Sequence, residues 1–134
     1  MLNKGMFSSI DHNWKTPKEF YDELDKEFNF DLDPCPSEKI VDDAIFMKWK
    51  GSVFVNPPYN NIETFLNKGI IELRKGNCKR VVYLLPSRTG TKWFHNFVLK
   101  YSNDIRFIRG RLKFSGSKWN APFDSMVVVF NGNK

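Results

Sequence analysis

The chain has 134 residues, of which 41% are hydrophobic and 27% charged, the balance of an ordinary folded protein whose length fits one domain over residues 1–134. Its 21 basic and 15 acidic residues leave a formal net charge of +6, a field that draws in polyanions such as nucleic acid. Cys35 and Cys78 are too few for a disulfide framework, and with only His12 and His95 beside them they make no metal-ligand spacing, so two reduced thiols and no metal are expected.

The opening residues, 1–13, read as a flexible polar arm without the apolar stretch of a signal peptide, and no later segment has the length to cross a bilayer; no membrane association and a cytoplasmic location are expected. Thr16-Pro17-Lys18-Glu19 has the form of a capping box, and Phe20, Leu24 and Phe28 recur at one-turn spacing, which predicts a first helix over 17–28. Phe28, Phe30 and Leu32 then alternate with polar residues, predicting a strand that ends at Asp33-Pro34-Cys35-Pro36. The stretch 37–51 gives no clear pattern. Val53-Phe54-Val55 is a short strand halted by Asn56-Pro57-Pro58-Tyr59.

Ile62, Phe65, Leu66, Ile70 and Leu73 trace one helical face, with Gly76 where a C-terminal cap belongs. Residues 81–85 are apolar on both faces, as in a central strand covered by helices. Phe94, Phe97, Val98 and Tyr101 define a third helix, and 105–108, 112–114 and 126–130 read as further strands. Strand alternating with helix predicts an α/β fold, a compact mixed sheet with helices on both faces. Asp33, Asn56 and Pro86 all fall at strand ends, the edge where such sheets gather ligands.

The sharpest motif is Asn56-Pro57-Pro58-Tyr59 directly after a strand. An exocyclic amine conjugated to a ring is a poor nucleophile, and a catalyst must hold both its hydrogens with acceptors as an electrophile approaches. The Asn56 side-chain oxygen and the Pro57 carbonyl can supply two such acceptors, while Pro57 and Pro58 stiffen the loop so that both are set in advance. Tyr59 offers a flat face to a base extruded from a duplex. No general base is demanded.

Six ordered segments carry a resemblance across almost the whole chain: Trp14-Lys15-Thr16-Pro17, Leu32-Asp33-Pro34, Asn56-Pro57-Pro58-Tyr59, Leu84-Leu85-Pro86-Ser87-Arg88-Thr89, Gly110-Arg111-Leu112-Lys113-Phe114 and Ala121-Pro122-Phe123. In these the chain resembles the phage-type DNA N6-adenine methyltransferase (Dam) family. The resemblance implies a Rossmann-like methyltransferase fold, S-adenosylmethionine as methyl donor, and N6 of an adenine in DNA as acceptor. It further implies that Thr16 and Pro17 lie against the methionine part of the donor and that Asp33 receives its amino group. Asp43 is the candidate for its adenine moiety, and Trp14 and Pro34 complete the cofactor set.

DNA contact is expected from Arg106, Arg109, Arg111, Lys113 and Lys118 with Phe114 and Trp119 interleaved, since alternating cations and rings suit phosphates and splayed bases. Arg88, Thr89 and Lys92, after a strand end, form a second such group. One departure from the family pattern stands out: the turn after Asp33 contains no glycine, and the interval from Asp33 to Asn56 is short. That departure sustains a rival, a degenerate relative that binds DNA without turnover. Methylation of a glutamine amide in protein, which poses the same two-hydrogen problem, ranks third.

Overall fold

In the computed structural model, which describes residues 14–36 and 41–132, the elements run α1 (Lys18–Phe28), α2 (Val41–Phe46), β1 (Gly51–Val55), α3 (Ile62–Arg74) and β2 (Cys78–Pro86). A π-helical turn (Phe94–Val98) then continues into α4 (Leu99–Tyr101), followed by β3 (Asp104–Phe107) and β4 (Ser125–Asn131). The strands form one sheet in the order β1-β2-β4-β3. β1 and β2 are parallel, with Val53 opposite Val81, whereas β4 runs antiparallel to both neighbours, Val127 facing Leu84 on one side and Arg106 on the other. The expected mixed sheet is therefore present. The proposed arm, 1–13, lies outside the described residues.

Side-chain alternation divides the core into two layers. Val53, Val55, Val81, Tyr83, Leu85, Met126 and Val128 point to one face, where Phe65, Leu66 and Ile70 of α3 cover them together with Ala44 of α2 and Val98. Phe54, Val82, Leu84, Val127 and Val129 point to the other, against Leu24 and Phe28 of α1 and against Phe114 and Ala121. Each fully buried aliphatic or phenyl group contributes about 1.5–3 kcal/mol, so both layers hold the sheet. Trp49 anchors the entry to β1, donating from Nε1 to the Ala44 carbonyl at 2.9 Å and from its backbone N–H to Glu72 Oε1 at 2.7 Å.

Four sequence expectations need correction. α1 starts at Lys18 with Pro17 as its N-cap, and no side chain caps it, so Thr16 is not the cap of a capping box. The strand expected over 28–32 shrinks to one parallel bridge between Leu32 and Val53, because Phe28 still belongs to α1 and Asn29 closes that helix in the left-handed conformation with φ 56. The segment 112–114 is not a strand: the Leu112 carbonyl accepts from Ala121 N–H at 2.7 Å across a loop, and Ser115 bridges to Lys15 instead. The third helix is π-helical in its first five residues.

Gly51 explains how the bridge is held. It has φ +66, and a Cβ there would meet Asp31 Oδ2 at 2.1 Å. That carboxylate oxygen accepts from Ser52 N–H at 2.9 Å, so the absence of a side chain at 51 lets the 31–33 segment lie against β1. Asp33 is thereby delivered to the same edge as Asn56.

Candidate active site

The bridged segment at Leu32, β1 and β2 all run in one direction, and their carboxyl ends carry Asp33, Asn56 and Ser87. This is the edge that strand ends had marked in the sequence. Ser87 N–H is tied to the Asp124 carbonyl at 2.8 Å, which fixes the start of β4 beside the end of β2.

Asn56, Pro57 and Pro58 are buried, Tyr59 is half-buried and Asn60 is exposed, so the loop is fixed at its root and meets solvent at its far end. The Asn56 carboxamide is oriented from one side. Its Nδ2 donates to the Trp14 carbonyl and, at 2.9 Å, to Thr16 Oγ1. The reverse placement of the amide would press two carbonyl oxygens together, so the hydrogen-bond pattern assigns nitrogen and oxygen. With both N–H donors turned to the Trp14–Thr16 segment, Oδ1 occupies the other prong.

Four rings draw distant segments around this loop. Trp14 lies 5.4 Å from Phe114 and 5.5 Å from Phe123, Phe114 and Phe123 are 5.9 Å apart, and Tyr59 meets Phe123 edge-on at 5.3 Å. Four of the six sequence segments thus contribute one ring each. The Tyr59 hydroxyl is buried without a hydrogen-bond partner among the described residues, as are Ser87 Oγ and Ser125 Oγ. Burial pushes the Tyr59 phenol far above its ordinary range, opposed only by the charge of Arg88, so it stays protonated and neutral.

The cofactor candidates separate. Trp14, Thr16, Pro17, Asp33 and Pro34 are half-buried at this edge, and Asp33 Oδ1 accepts from Cys35 N–H at 3.1 Å, which shapes the glycine-free turn. Asp43 is exposed in the first turn of α2.

The DNA candidates separate too. Arg88, Thr89, Lys92, Arg109, Arg111, Lys113 and Lys118 are not buried, and Trp119 is 76% exposed. Phe114 is 1% exposed inside the ring cluster, so burial removes it from the surface that the sequence had assigned it. Arg106 is also withdrawn, because its guanidinium grips both carboxylate oxygens of Glu27 at 2.7 and 2.6 Å and Asp104 at 2.8 Å. The sequence reading missed Phe123, which joins Tyr59 to Trp14; its place in Ala121-Pro122-Phe123 was the available signal.

Among the described residues, cavities of about 640 and 250 Å³ open at the opposite edge around Cys78, Arg80, Leu73 and Tyr101, away from the candidate site residues. Among the described residues no group of three metal-ligating side chains occurs, and no helix is long and apolar enough to cross a membrane.

An α/β protein with a proline-stiffened carboxamide loop at the carboxyl end of parallel strands is the class that fold and site define. Residues 6–131 match the family model described as DNA N-6-adenine-methyltransferase (Dam), and the chain belongs to that family. It is also similar to the DNA N-6-adenine-methyltransferase of Escherichia phage T1, with 29% identity over 93 residues, 60% of this chain and 38% of the phage protein. The match thus spans well under half the length of that relative.

Proposed function

We propose that this chain transfers a methyl group from S-adenosylmethionine to N6 of adenine in DNA. The observation that carries this reading is the Asn56 carboxamide, whose nitrogen is held by the Trp14 carbonyl and Thr16 Oγ1 so that its oxygen is turned away from that segment. Family membership supplies the reaction class. A Rossmann-like methyltransferase fold accords with the parallel run of the bridge, β1 and β2 with an antiparallel β4 beyond them.

The residues present fit the donor. A carboxylate, Asp33, ends the strand segment next to Asn56 and suits an ammonium group, and the hydroxyls of Tyr59 and Ser87 at this edge have no hydrogen-bond partner among the described residues. Asp33 would hold the amino group, with Trp14, Thr16, Pro17 and Pro34 beside it; Asp43 is the weakest member of the set. When bound, the sulfonium would supply the electrophilic methyl and leave as a neutral thioether, the electrons of its broken S–C bond going to sulfur, while the methylated nitrogen would give up one of its protons to solvent.

Asn56 and the Pro57 carbonyl would take the two amine hydrogens of the target base, leaving the nitrogen lone pair to face the donor. Burial of the loop root keeps water off these acceptors, where a fixed dipole acts most strongly. Tyr59, kept neutral, acts as a stacking face and not as a base. Arg88, Lys92, Arg109, Arg111, Lys113 and Lys118 would meet phosphates, and Trp119 an unstacked base.

Incubation with methyl-labelled S-adenosylmethionine and unmodified duplex DNA tests the proposal: label is expected in DNA and absent from protein substrates. Label in a glutamine-bearing peptide alone would favour amide methylation. Tight DNA binding with no transfer would favour the degenerate binder, the reading that the glycine-free turn after Asp33 sustains.

A further inference from the structure

We propose that Thr16 is a positioning residue for Asn56, acting through its hydroxyl on the orientation of the carboxamide; this rests on the methyl-transfer reading above. The sequence offered two other roles for Thr16, helix cap and cofactor contact. The first is ruled out, since Pro17 is the N-cap of α1 and no side chain caps that helix. The hydroxyl instead accepts from Asn56 Nδ2 at 2.9 Å, from 40 residues away in sequence.

An asparagine side chain can turn about its last torsion and exchange oxygen for nitrogen at little intrinsic cost. Exchange would turn donors toward the amine's own hydrogens, and the site would repel its substrate. Two acceptors converge to prevent this, the Trp14 carbonyl and Thr16 Oγ1, each taking one amide hydrogen. The carbonyl can only accept. The hydroxyl could either accept or donate, but the second hydrogen of Nδ2 leaves it the accepting role.

The segment bearing these two acceptors is itself held. Ser115 N–H donates to the Lys15 carbonyl at 3.0 Å and Ser115 Oγ to the Thr16 carbonyl at 3.2 Å. The Trp14 ring is locked between Phe114 and Phe123. The 14–16 segment is therefore a rigid support that fixes the direction of the Asn56 oxygen.

The test compares Thr16→Val, which keeps the shape and removes the hydroxyl, with Thr16→Ser, which keeps the hydroxyl. At saturating donor, where any lost donor contact of Thr16 no longer limits the rate, Thr16→Val should still lower kcat about tenfold or more, and Thr16→Ser should restore most of the rate. In parallel, the side-chain amide protons of Asn56, followed by nitrogen-edited NMR, should shift and exchange with water faster in Thr16→Val than in wild type or Thr16→Ser. Unchanged kcat in Thr16→Val, or a loss confined to donor affinity, would overturn the proposal. So would unaltered Asn56 resonances. A wild type without methyl transfer but with the predicted Asn56 resonance pattern would instead strike the enzymatic reading while leaving the hydroxyl interaction in place.

Discussion

Two loops leave the same region of the sheet and are built in opposite ways. The loop after β1, residues 56–59, is short, rooted in buried residues, stiffened by two prolines and fixed by hydrogen bonds to a segment 40 residues earlier. The connection between β3 and β4, residues 108–124, is long and exposed over most of its length, and it turns on Gly110 and Gly116, whose φ values of 77 and 83 few other residues adopt. Its grip on the body is through Phe114, Phe123 and Ser115. The contrast separates two tasks: chemistry asks for dipoles already in place, and DNA binding asks for cations that reach into solvent.

The largest effect expected from breaking this contrast is at Asn56. Asn56→Ala removes one preset acceptor and should lower kcat about 10²–10³-fold with DNA affinity close to wild type, as single-turnover kinetics and fluorescence anisotropy would register. The converse variant, Arg111→Ala with Lys113→Ala and Lys118→Ala, should weaken DNA binding at least about tenfold and reduce the slope of log K against log salt by about 0.9 for each phosphate that is no longer neutralised. Its kcat at saturating DNA should stay near wild type. If both variants changed both quantities, the division between the loops would be wrong.

Finer tests follow on the outer loop. Trp119→Ala should cost about 1–3 kcal/mol of binding to DNA that exposes an unstacked base, with less effect on intact duplex. The smallest effect is expected at Arg106→Ala. Although this cation precedes the loop, Glu27 and Asp104 already engage it, so DNA affinity should hardly move. Its role is in the fold: hydrogen bonds from Arg106 hold the Glu27 carboxyl below its ordinary value of 4.5. A carboxyl so lowered stabilises the native state above about pH 4.5 and loses that contribution as pH falls through its folded value. Thermal melts between neutral pH and pH 3 should therefore show a shallower acid loss in Arg106→Ala, a modest difference because the pair is exposed.

What the sequence could reveal tracks the range of the interactions concerned. α3, β1, β2 and β4 were legible because periodicity 3.6 or a run of β-branched residues is a local property. The alternation over 28–32 misleads because the same Phe28 that begins it also completes the apolar face of α1, and only the left-handed Asn29 decides between them. α2 gives no signal of its own: at six residues it lies below the length at which a helical face declares itself.

The strand-end edge with Asp33, Asn56 and Pro86 was legible as a set, since prolines and polar residues mark where pairing stops. The partners of Asn56 were not. Thr16 carried a local explanation, a helix cap, that concealed its long-range one, and Phe114 looked like a surface ring because its neighbours at 111 and 113 are cations.

The most direct measurement is the nucleoside composition of adenine-containing duplex DNA after incubation with the wild type and S-adenosylmethionine, read by mass spectrometry beside the same reaction with Asn56→Ala. N6-methyl-2′-deoxyadenosine is expected from the wild type, with the variant's yield reduced about 10²-fold or more at equal DNA occupancy. Equal yields from the two proteins, or methyl groups appearing on any position other than the exocyclic amine, would contradict that expectation.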